Sequence, residues 1–432
     1  MNKLAILGGQ PLIKKRYPPY ITVDEEDKKE LMKVIDSGIL SGFAANPGKT
    51  FLGGKKVLEL EMAWSKKFNV KYSVTLNSAT SALHAALFAV GVGPGDEVIL
   101  PPSTMSGCSA VILALNAIPV FADENPETLC IMPESIEKRI TRKTKAIMPV
   151  HLTGNICEMD KILKIARRNK LKVIEDASQS PLGKFQGRLA GTIGDIGVYS
   201  LNCHKIIQTG EGGVAVTNNE NLAIRMRLFR NHGEKYAHLM GRPQDALMAG
   251  LNLRMTELQA AVAKSQLRKL VRFTRHRIKL ASYMTKLLKN IQGISPIKIY
   301  KECQNVYYIY HMKYEEEITV IPKKLFVDAV KAEGVPLYDD YCIPLYMQPV
   351  FQKHSAYGKS GCPFKCRHTR PNVKYKKGLC PGSESINKTS IWLDILRQPL
   401  TIKDVEDIYR VFLKIIENKR QLLTISRRRD DE

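Results

Sequence analysis

Between residues 72 and 217 the chain alternates short apolar runs with helix-like segments. The runs are Tyr72–Leu76, Glu97–Leu100, Ile118–Phe121 and residues 146–150, 172–174, 197–201 and 213–216. None shows the apolar/polar alternation of a sheet with one wet face. Strands covered on both faces by crossover helices read this way, so the pattern predicts an α/β unit with a mostly parallel sheet flanked by helices. Between Gly250 and Gly293 there is neither Gly nor Pro, and Leu258, Ala261, Val262, Leu267, Leu270 and Val271 fall at helical spacing. That predicts one or two long helices leading out of the first unit. Beyond it the pattern changes to a strand over 306–311, a helix over 322–332 stopped by Gly334, and a helix over 402–418, a smaller C-terminal α+β unit. The first fifty residues read as an arm with one helix over 25–36, and the Gly-, Pro- and Lys-rich stretch 355–388 reads as a long loop. The expected division is an arm over 1–50, a large unit over 51–265 and a smaller one over 266–432.

Composition narrows the class. At 432 residues and 44% apolar content the chain can build a sizeable core. No apolar run approaches the roughly 18 residues of a membrane span, and the apolar stretch after Met1 is too short for a secretory signal. Nine scattered cysteines, an odd number, fit a reducing, cytoplasmic compartment. The net charge of +24, from 66 Lys+Arg against 42 Asp+Glu, is spread along the chain apart from Arg427-Arg-Arg429. Nucleic-acid binders more often carry a clustered basic stripe with aromatics among it. A diffuse positive field that concentrates a phosphorylated or nucleotide-linked substrate is the better reading.

Three stretches carry candidate chemistry. In Asn77-Ser78-Ala79-Thr80-Ser81 a strand gives way to small hydroxyl residues and a helix, whose free first-turn N–H groups make an anion site; an ordinary serine cap reads the same in isolation. Asp176, in Val173-Ile-Glu-Asp176-Ala-Ser-Gln179, follows a buried strand at the carboxyl end of the sheet, where open α/β sheets bind ligands; a helix-capping aspartate is the plainer alternative. Lys205 lies between Val198-Tyr-Ser-Leu201 and the tight turn Gly210-Glu-Gly-Gly213. A lone lysine is usually surface decoration. One held between two rigid elements, beside an anion site and a buried acid, fits a lysine that attacks a carbonyl to form a Schiff base.

With those residues in place, the chain resembles the DegT/StrS family of pyridoxal-phosphate (PLP) sugar aminotransferases, enzymes of fold type I. The resemblance runs through Asn77-Ser-Ala-Thr80, Gly95-Asp-Glu-Val98, Ala146-Ile-Met-Pro-Val-His151, Glu175-Asp-Ala-Ser-Gln179, Gly191-Thr-Ile-Gly-Asp195, Ser200 with Lys205, Gly210-Glu-Gly-Gly213, Arg230-Asn-His-Gly233 and Asn252-Leu-Arg-Met255. It implies that Lys205 is the catalytic Schiff-base lysine and that Asp176 pairs with the ring nitrogen of pyridoxal 5'-phosphate. Gln179 would lie near the ring, and Ala79, Thr80 and Ser200 would hold the phosphate. Asn252 would reach that phosphate from the partner subunit of a homodimer. The expected substrates are an amino acid, glutamate or glutamine, and a keto-sugar, nucleotide-linked keto-sugar or keto-cyclitol, in a ping-pong reaction.

Some residues depart from that pattern or sit beside it. Where the family commonly stacks an aromatic ring on the cofactor, the turn Pro101-Pro-Ser-Thr-Met105 offers Met105, whose thioether can still pack on a ring. Relatives with His in place of the lysine act as sugar dehydratases; the Ser200-to-Lys205 spacing aligns Lys205, not His204, with that position. A PLP-dependent dehydratase is thus the alternative enzyme, and a regulatory or DNA-binding protein of the same fold the alternative class. Cys362, Cys366, His368 and Cys380 lie close enough in sequence to suggest zinc, though their spacing misses the usual pairs, and free thiols are the simpler expectation. His151 reads as a structural histidine. Substrate contacts are expected from the N-terminal arm and from Asp340-Tyr-Cys-Ile-Pro-Leu-Tyr346.

Overall fold

The computed structural model describes residues 3–44, 49–233, 248–341, 343–366 and 374–430. Helix α1 (Glu25–Ser37) starts where a capping box forms: the Asp24 side chain accepts a first-turn N–H while Asp27 accepts the N–H of Asp24. After α2 (Lys55–Phe68) and β1 (Tyr72–Leu76), helix and strand alternate through α3 (Ala79–Ala89), β2 (Glu97–Leu100), α4 (Ser106–Ala114), β3 (Ile118–Phe121), α5 (Pro133–Arg139), β4 (Thr144–Ile147), α6 (Met159–Arg168) and β5 (Lys172–Asp176). A small hairpin, β6 (Lys184–Phe185) and β7 (Arg188–Leu189), precedes β8 (Ile196–Ser200), β9 (Gly213–Thr217) and α7 (Glu220–Arg230).

Seven strands form the main sheet in the order β1-β9-β8-β5-β4-β2-β3. From β8 out to β3 every neighbouring pair is parallel, and β9 runs against both β1 and β8. All residues of β2, β3, β8 and β9 are buried, as expected where helices cover both faces. The run expected over 146–150 is a strand only to Ile147. Pro149 has no N–H to give a ladder, and the chain touches β5 again through a single bridge between Val150 and Asp176. The end of β1 is fixed by Arg230, which is fully buried: its Nη1 donates to Glu61 Oε1 at 2.7 Å and to the Thr75 carbonyl at 2.9 Å.

Residues 250–293 hold one helix, α8 (Glu257–Leu288), opened by a capping box between Thr256 and Gln259. Glu257 also answers the first free N–H groups of α2, accepting from Lys56 at 2.6 Å and Val57 at 3.3 Å. The expected division after residue 265 falls inside this helix. Its first half, with Ala260, Ala263, Leu267, Leu270 and Phe273, packs in the core of the main sheet. Its second half, with Leu280, Ala281, Met284 and Leu288, packs in a second core.

The second core lies around a three-stranded antiparallel sheet of β10 (Ile294–Pro296), β12 (Tyr310–Tyr314) and β13 (Ser390–Leu393), while β11 (Cys303–Gln304) joins β6 and β7. Among the described residues four α-helices lie between β12 and β13, namely α9 (Glu316–Thr319), α10 (Lys323–Ala332), α11 (Pro349–Gln352) and α12 (Pro381–Thr389), and α13 (Ile402–Glu417) follows β13. Val405, Ile408, Val411, Phe412 and Ile415 form the apolar stripe of α13 on that core, which also takes in Leu4 and Ile13 of the arm. The strand expected over 306–311 begins later, at Tyr310. The N–H groups of Val306 and Ile309 are taken by the carbonyls of Gly154 and Thr153, and Tyr307 has a positive φ of 52°. The loop expected over 355–388 is shorter than its composition suggests, because Pro381 starts α12. Phe364, Tyr375, Cys380 and Ile386 of this segment, with Leu345, Tyr346 and Phe351 just before it, pack on the main-sheet core rather than the second one.

Candidate active site

Sheet register gathers the candidate residues at one end of the main sheet. Gly213, first in β9, pairs with Leu76 of β1 on one side and Ser200 of β8 on the other, and Val198 of β8 pairs with Asp176 of β5. The chain after Leu76 therefore enters α3 beside the chain after Ser200, one strand from Asp176. At Gly213 a side chain has no room: a Cβ there would lie 2.3 Å from the Ser78 carbonyl and 2.5 Å from the Ala79 nitrogen.

Ser78 caps α3 by accepting from the Ser81 N–H at 3.0 Å, which leaves earlier first-turn donors free at Ala79 and Thr80. Ala79 is half-buried and Thr80 exposed. Gly107, in the first turn of α4, lets the two helix starts converge; a Cβ there would meet Thr80 Oγ1 at 3.1 Å. The Oδ1 of Asn77 is buried without a hydrogen-bond partner.

Asp176 is 5% exposed. Its Oδ1 accepts the Ser178 N–H at 3.0 Å and its Oδ2 accepts the Cys108 thiol at 3.2 Å. Burial first, then the charge of Asp176, holds that thiol well above its ordinary pKa, while the Lys205 amine pulls the other way. One thiol thus lies within electrostatic reach of both candidate residues. Lys205 sits in the 201–212 loop, which is pinned by Lys205 N–H to the Asn202 carbonyl, Cys203 N–H to the Gly210 carbonyl and Leu201 N–H to the Gly212 carbonyl. Its Nζ lies 4.6 Å from the centre of the Tyr308 ring. His204 is exposed.

Gln179 is 8% exposed; its Oε1 accepts the Thr153 N–H at 2.6 Å and its Nε2 donates to Tyr341 at 2.9 Å. Ser200 is buried, and its hydroxyl accepts the Asn202 N–H at 3.2 Å. Met105 caps α4 and is 72% exposed in the single chain. Asn252 is exposed as well, in a loop held by a bridge to Asn231 and by the Leu253 carbonyl, which accepts the Asn77 N–H. Sequence reading missed Tyr308, Cys108 and the role of Tyr341. Only Tyr341 lay in a stretch already marked for substrate contact; the others carry no local motif.

His151 is structural, as expected. Its Nδ1 accepts the Cys157 N–H at 3.3 Å, so the ring proton sits on Nε2 and is donated to Glu175 at 2.9 Å. Glu175 also takes the N–H groups of Gly191, Ile193 and Gly194. In the 355–388 segment the expectation of free thiols fails at two positions. Cys362 and Cys366 form a disulfide, their Cα atoms 5.2 Å apart on one turn, within bridging reach. Cys380 is buried as a free thiol and His368 lies outside the described residues; among those residues no cluster of metal-binding side chains occurs.

Behind the 101–105 turn, Glu124 is fully buried; Oε2 accepts the Ser103 N–H at 3.0 Å and Oε1 has no partner. Burial pushes its carboxyl up from 4.5 to about 7, against hydrogen bonds from Ser103 and Ser383. A raised acid binds its proton more tightly folded than unfolded, so stability is full below about pH 4.5 and falls as pH rises through about 7. Glu124→Gln removes that loss. Its stability relative to the unaltered protein is expected to improve by on the order of 2–3 kcal/mol between pH 4 and pH 8, as measured by urea unfolding at both.

The DegT/DnrJ/EryC1/StrS aminotransferase family model matches residues 42–370. The chain belongs to that family. It is 35% identical to GDP-perosamine synthase of Caulobacter vibrioides, over 69% of this chain and 79% of that one. A putative L-glutamine:3-amino-2,3-dideoxy-scyllo-inosose aminotransferase of Micromonospora echinospora is 36% identical over 68% of this chain and 69% of its own. Among solved structures, the aminotransferase of Psychrobacter cryohalolentis superposes with a TM-score of 0.80 at 26% identity, covering 93% of this chain and 99% of that one. The fold is accordingly that of a fold-type-I aminotransferase, and the chain is read as an enzyme of the sugar-aminotransferase class.

Proposed function

We propose that this enzyme is a PLP-dependent aminotransferase that moves an amino group from glutamate or glutamine to a keto-sugar, nucleotide-linked keto-sugar or keto-cyclitol. The observation that carries the reading is the meeting, at one sheet end, of the Lys205 amine, the buried Asp176 carboxylate and the free helix start at Ala79 and Thr80. PLP fits this donor set. A dianionic phosphate suits the α3 N-terminus with the Ser200 hydroxyl, where Gly213 and Gly107 let the neighbouring chain segments approach closely. Asp176 would hold a proton on the ring nitrogen, with Cys108 and Ser178 fixing its oxygens. Gln179, braced by Thr153 and Tyr341, would lie at the ring edge and Met105 at its outer face.

When bound, PLP supplies an aldehyde that condenses with amines and a ring that takes up the electron pair of a broken Cα–H bond. Lys205 would hold PLP covalently and, once released by the donor's amine, its Nζ would be placed to take the proton from the donor's α-carbon. In the second half the same Nζ would deliver a proton to the sugar carbon that gains nitrogen. Tyr308 and the pinned 201–212 loop keep that amine in place between halves. With Lys205 at this position and His204 exposed, aminotransfer is favoured over dehydration.

Two finer points complete the proposal. The enzyme works as a homodimer in which Asn252 completes the phosphate site of its neighbour; Ile39, Leu40, Met62, Met105 and Leu251 are apolar side chains left exposed in the single chain, as a subunit interface would require. It works in the cytoplasm, where activated sugars and amino acids meet. No helix of the described residues is long and apolar enough to cross a membrane.

The test is spectroscopic. Protein loaded with PLP is expected to be yellow, to bleach with glutamate or glutamine, and to recover colour with a keto-sugar that gains nitrogen in the mass spectrum. A product that loses water and gains no nitrogen would turn the reading to dehydratase. Failure of every amino acid to bleach the protein would end the aminotransferase reading.

A further inference from the structure

A cleft of about 770 Å³ opens between the last turn of α2, the β6–β7 hairpin and the middle of α8. Asn69 and Asn218 line it, and they lie just outside the Tyr72–Thr217 pair, at the end of β1 and β9 away from Leu76 and Gly213. The length of β1, about 13 Å of strand, therefore separates the cleft from the candidate active site. None of the candidate catalytic or cofactor-holding residues lines it.

The charges around the cleft are of one sign. Lys67, Lys184, Arg188 and Arg275 line it, and no Asp or Glu does. Among the described residues none of the four has a carboxylate within ion-pair reach. Lys67, in the last turn of α2, suits the negative end of the helix dipole. No such reason brings Lys184 and Arg188 of the hairpin and Arg275 of α8 to the same place, and like charges around one cleft repel unless an anion answers them. Arg188 is steadied by the carbonyls of Thr192 and Ile193, which accept from its Nη2 at 3.4 Å. The Oδ1 of Asn218 accepts the Lys71 N–H at 2.9 Å, which leaves its amide group as a donor. An uncharged wall adjoins these groups: Val271 and Ile278 lie two turns apart on the face of α8 that carries Arg275, with Leu182 and Leu189 across from them. The volume is that of a small-molecule site. A nucleic-acid backbone calls for a stripe of cations along a face, not four around one hollow.

We infer that this cleft is a second ligand site, remote from the chemistry, which takes a small organic molecule bearing a phosphate or diphosphate. Lys184, Arg188 and Arg275 answer the phosphate oxygens, for which the two guanidinium forks are well shaped, and the apolar wall carries the organic body. The inference does not depend on the aminotransferase reading.

Calorimetric titration of the full-length, PLP-loaded protein with ADP, GDP and UDP at physiological salt is the test, with two double variants to assign the signal. At least one of these probes is expected to bind with Kd below about 1 mM. Arg188→Ala with Arg275→Ala is expected to weaken that binding by at least about 30-fold, the loss of two charge-assisted contacts. Both side chains are exposed, so the melting temperature should not move. Arg272→Ala with Lys286→Ala removes the same charge from exposed positions of α8 outside the cleft, and it should bind like the unaltered protein. The matching nucleoside, without phosphate, should bind at least about 30-fold more weakly than the diphosphate. Absence of binding by all three diphosphates overturns the inference. So does equal weakening in the two double variants, which would mean attraction to net charge alone, and so does full affinity in Arg188→Ala with Arg275→Ala, which would put the nucleotide elsewhere. Should no diphosphate bind while that cleft variant loses affinity for a DNA duplex or an acidic peptide, the face is a macromolecular contact and the inference equally falls.

Discussion

Replacing Lys205 with alanine is expected to lower steady-state transamination by at least about 10⁴-fold, because one side chain serves as covalent anchor and as proton carrier at the donor's α-carbon. The fold should survive. The 201–212 loop is held by backbone hydrogen bonds, and the amine's described contact is with the face of the Tyr308 ring. Alanine at this position should therefore melt within a few degrees of the unaltered protein while losing the colour of covalently attached PLP. Absorbance, a coupled glutamate assay and a melt on one preparation check all three. Full turnover in Lys205→Ala would remove that residue from the mechanism.

Asp176→Asn is expected to be the second largest loss, roughly 10²–10³-fold in kcat, as for removal of one preorganised electrostatic group. Asparagine keeps the shape and can still accept from Ser178, but it is neutral, so a proton on the facing ring nitrogen is no longer held there. Colour should persist, since Lys205 is untouched, and KM for the donor should move far less than kcat. A variant within a few-fold of full activity would mean that the acid is structural. Stability is not expected to drop with activity: exchanging a 5%-exposed carboxylate for an amide removes a buried charge, and sites built for chemistry are often stabilised when disarmed.

The sequence made Asp176 and Lys205 legible because position within a strand pattern is a local property. β1, β2 and β3 begin and end where their apolar runs do, and the apolar run at 172–174 marks a strand that extends to Asp176. What stayed hidden depends on distant partners. Residues 306–309 are apolar and aromatic enough for a strand, yet the N–H groups of Val306 and Ile309 go to the 153–154 turn, which no local pattern announces. Tyr308 reaches Lys205 from a distant segment of the chain, and no local pattern marks it for that contact. The stretch 355–388 read as a long loop from its Gly, Pro and Lys, while scattered side chains such as Phe364, Tyr375 and Ile386 pack it on the main-sheet core. Cys362 and Cys366 suggested metal or free thiols by their chemistry, and only the closeness of their backbones distinguishes a bridge.

The continuity of α8 bears on how such a chain can change over time. Thirty-two residues without a break belong to two hydrophobic interiors at once. A recombination breakpoint anywhere along them would strand one set of apolar side chains without its counterpart, and a single-residue insertion would turn everything downstream by about 100° about the axis. A chimera with a relative joined within these residues is therefore expected to fold poorly, and one joined outside them is not.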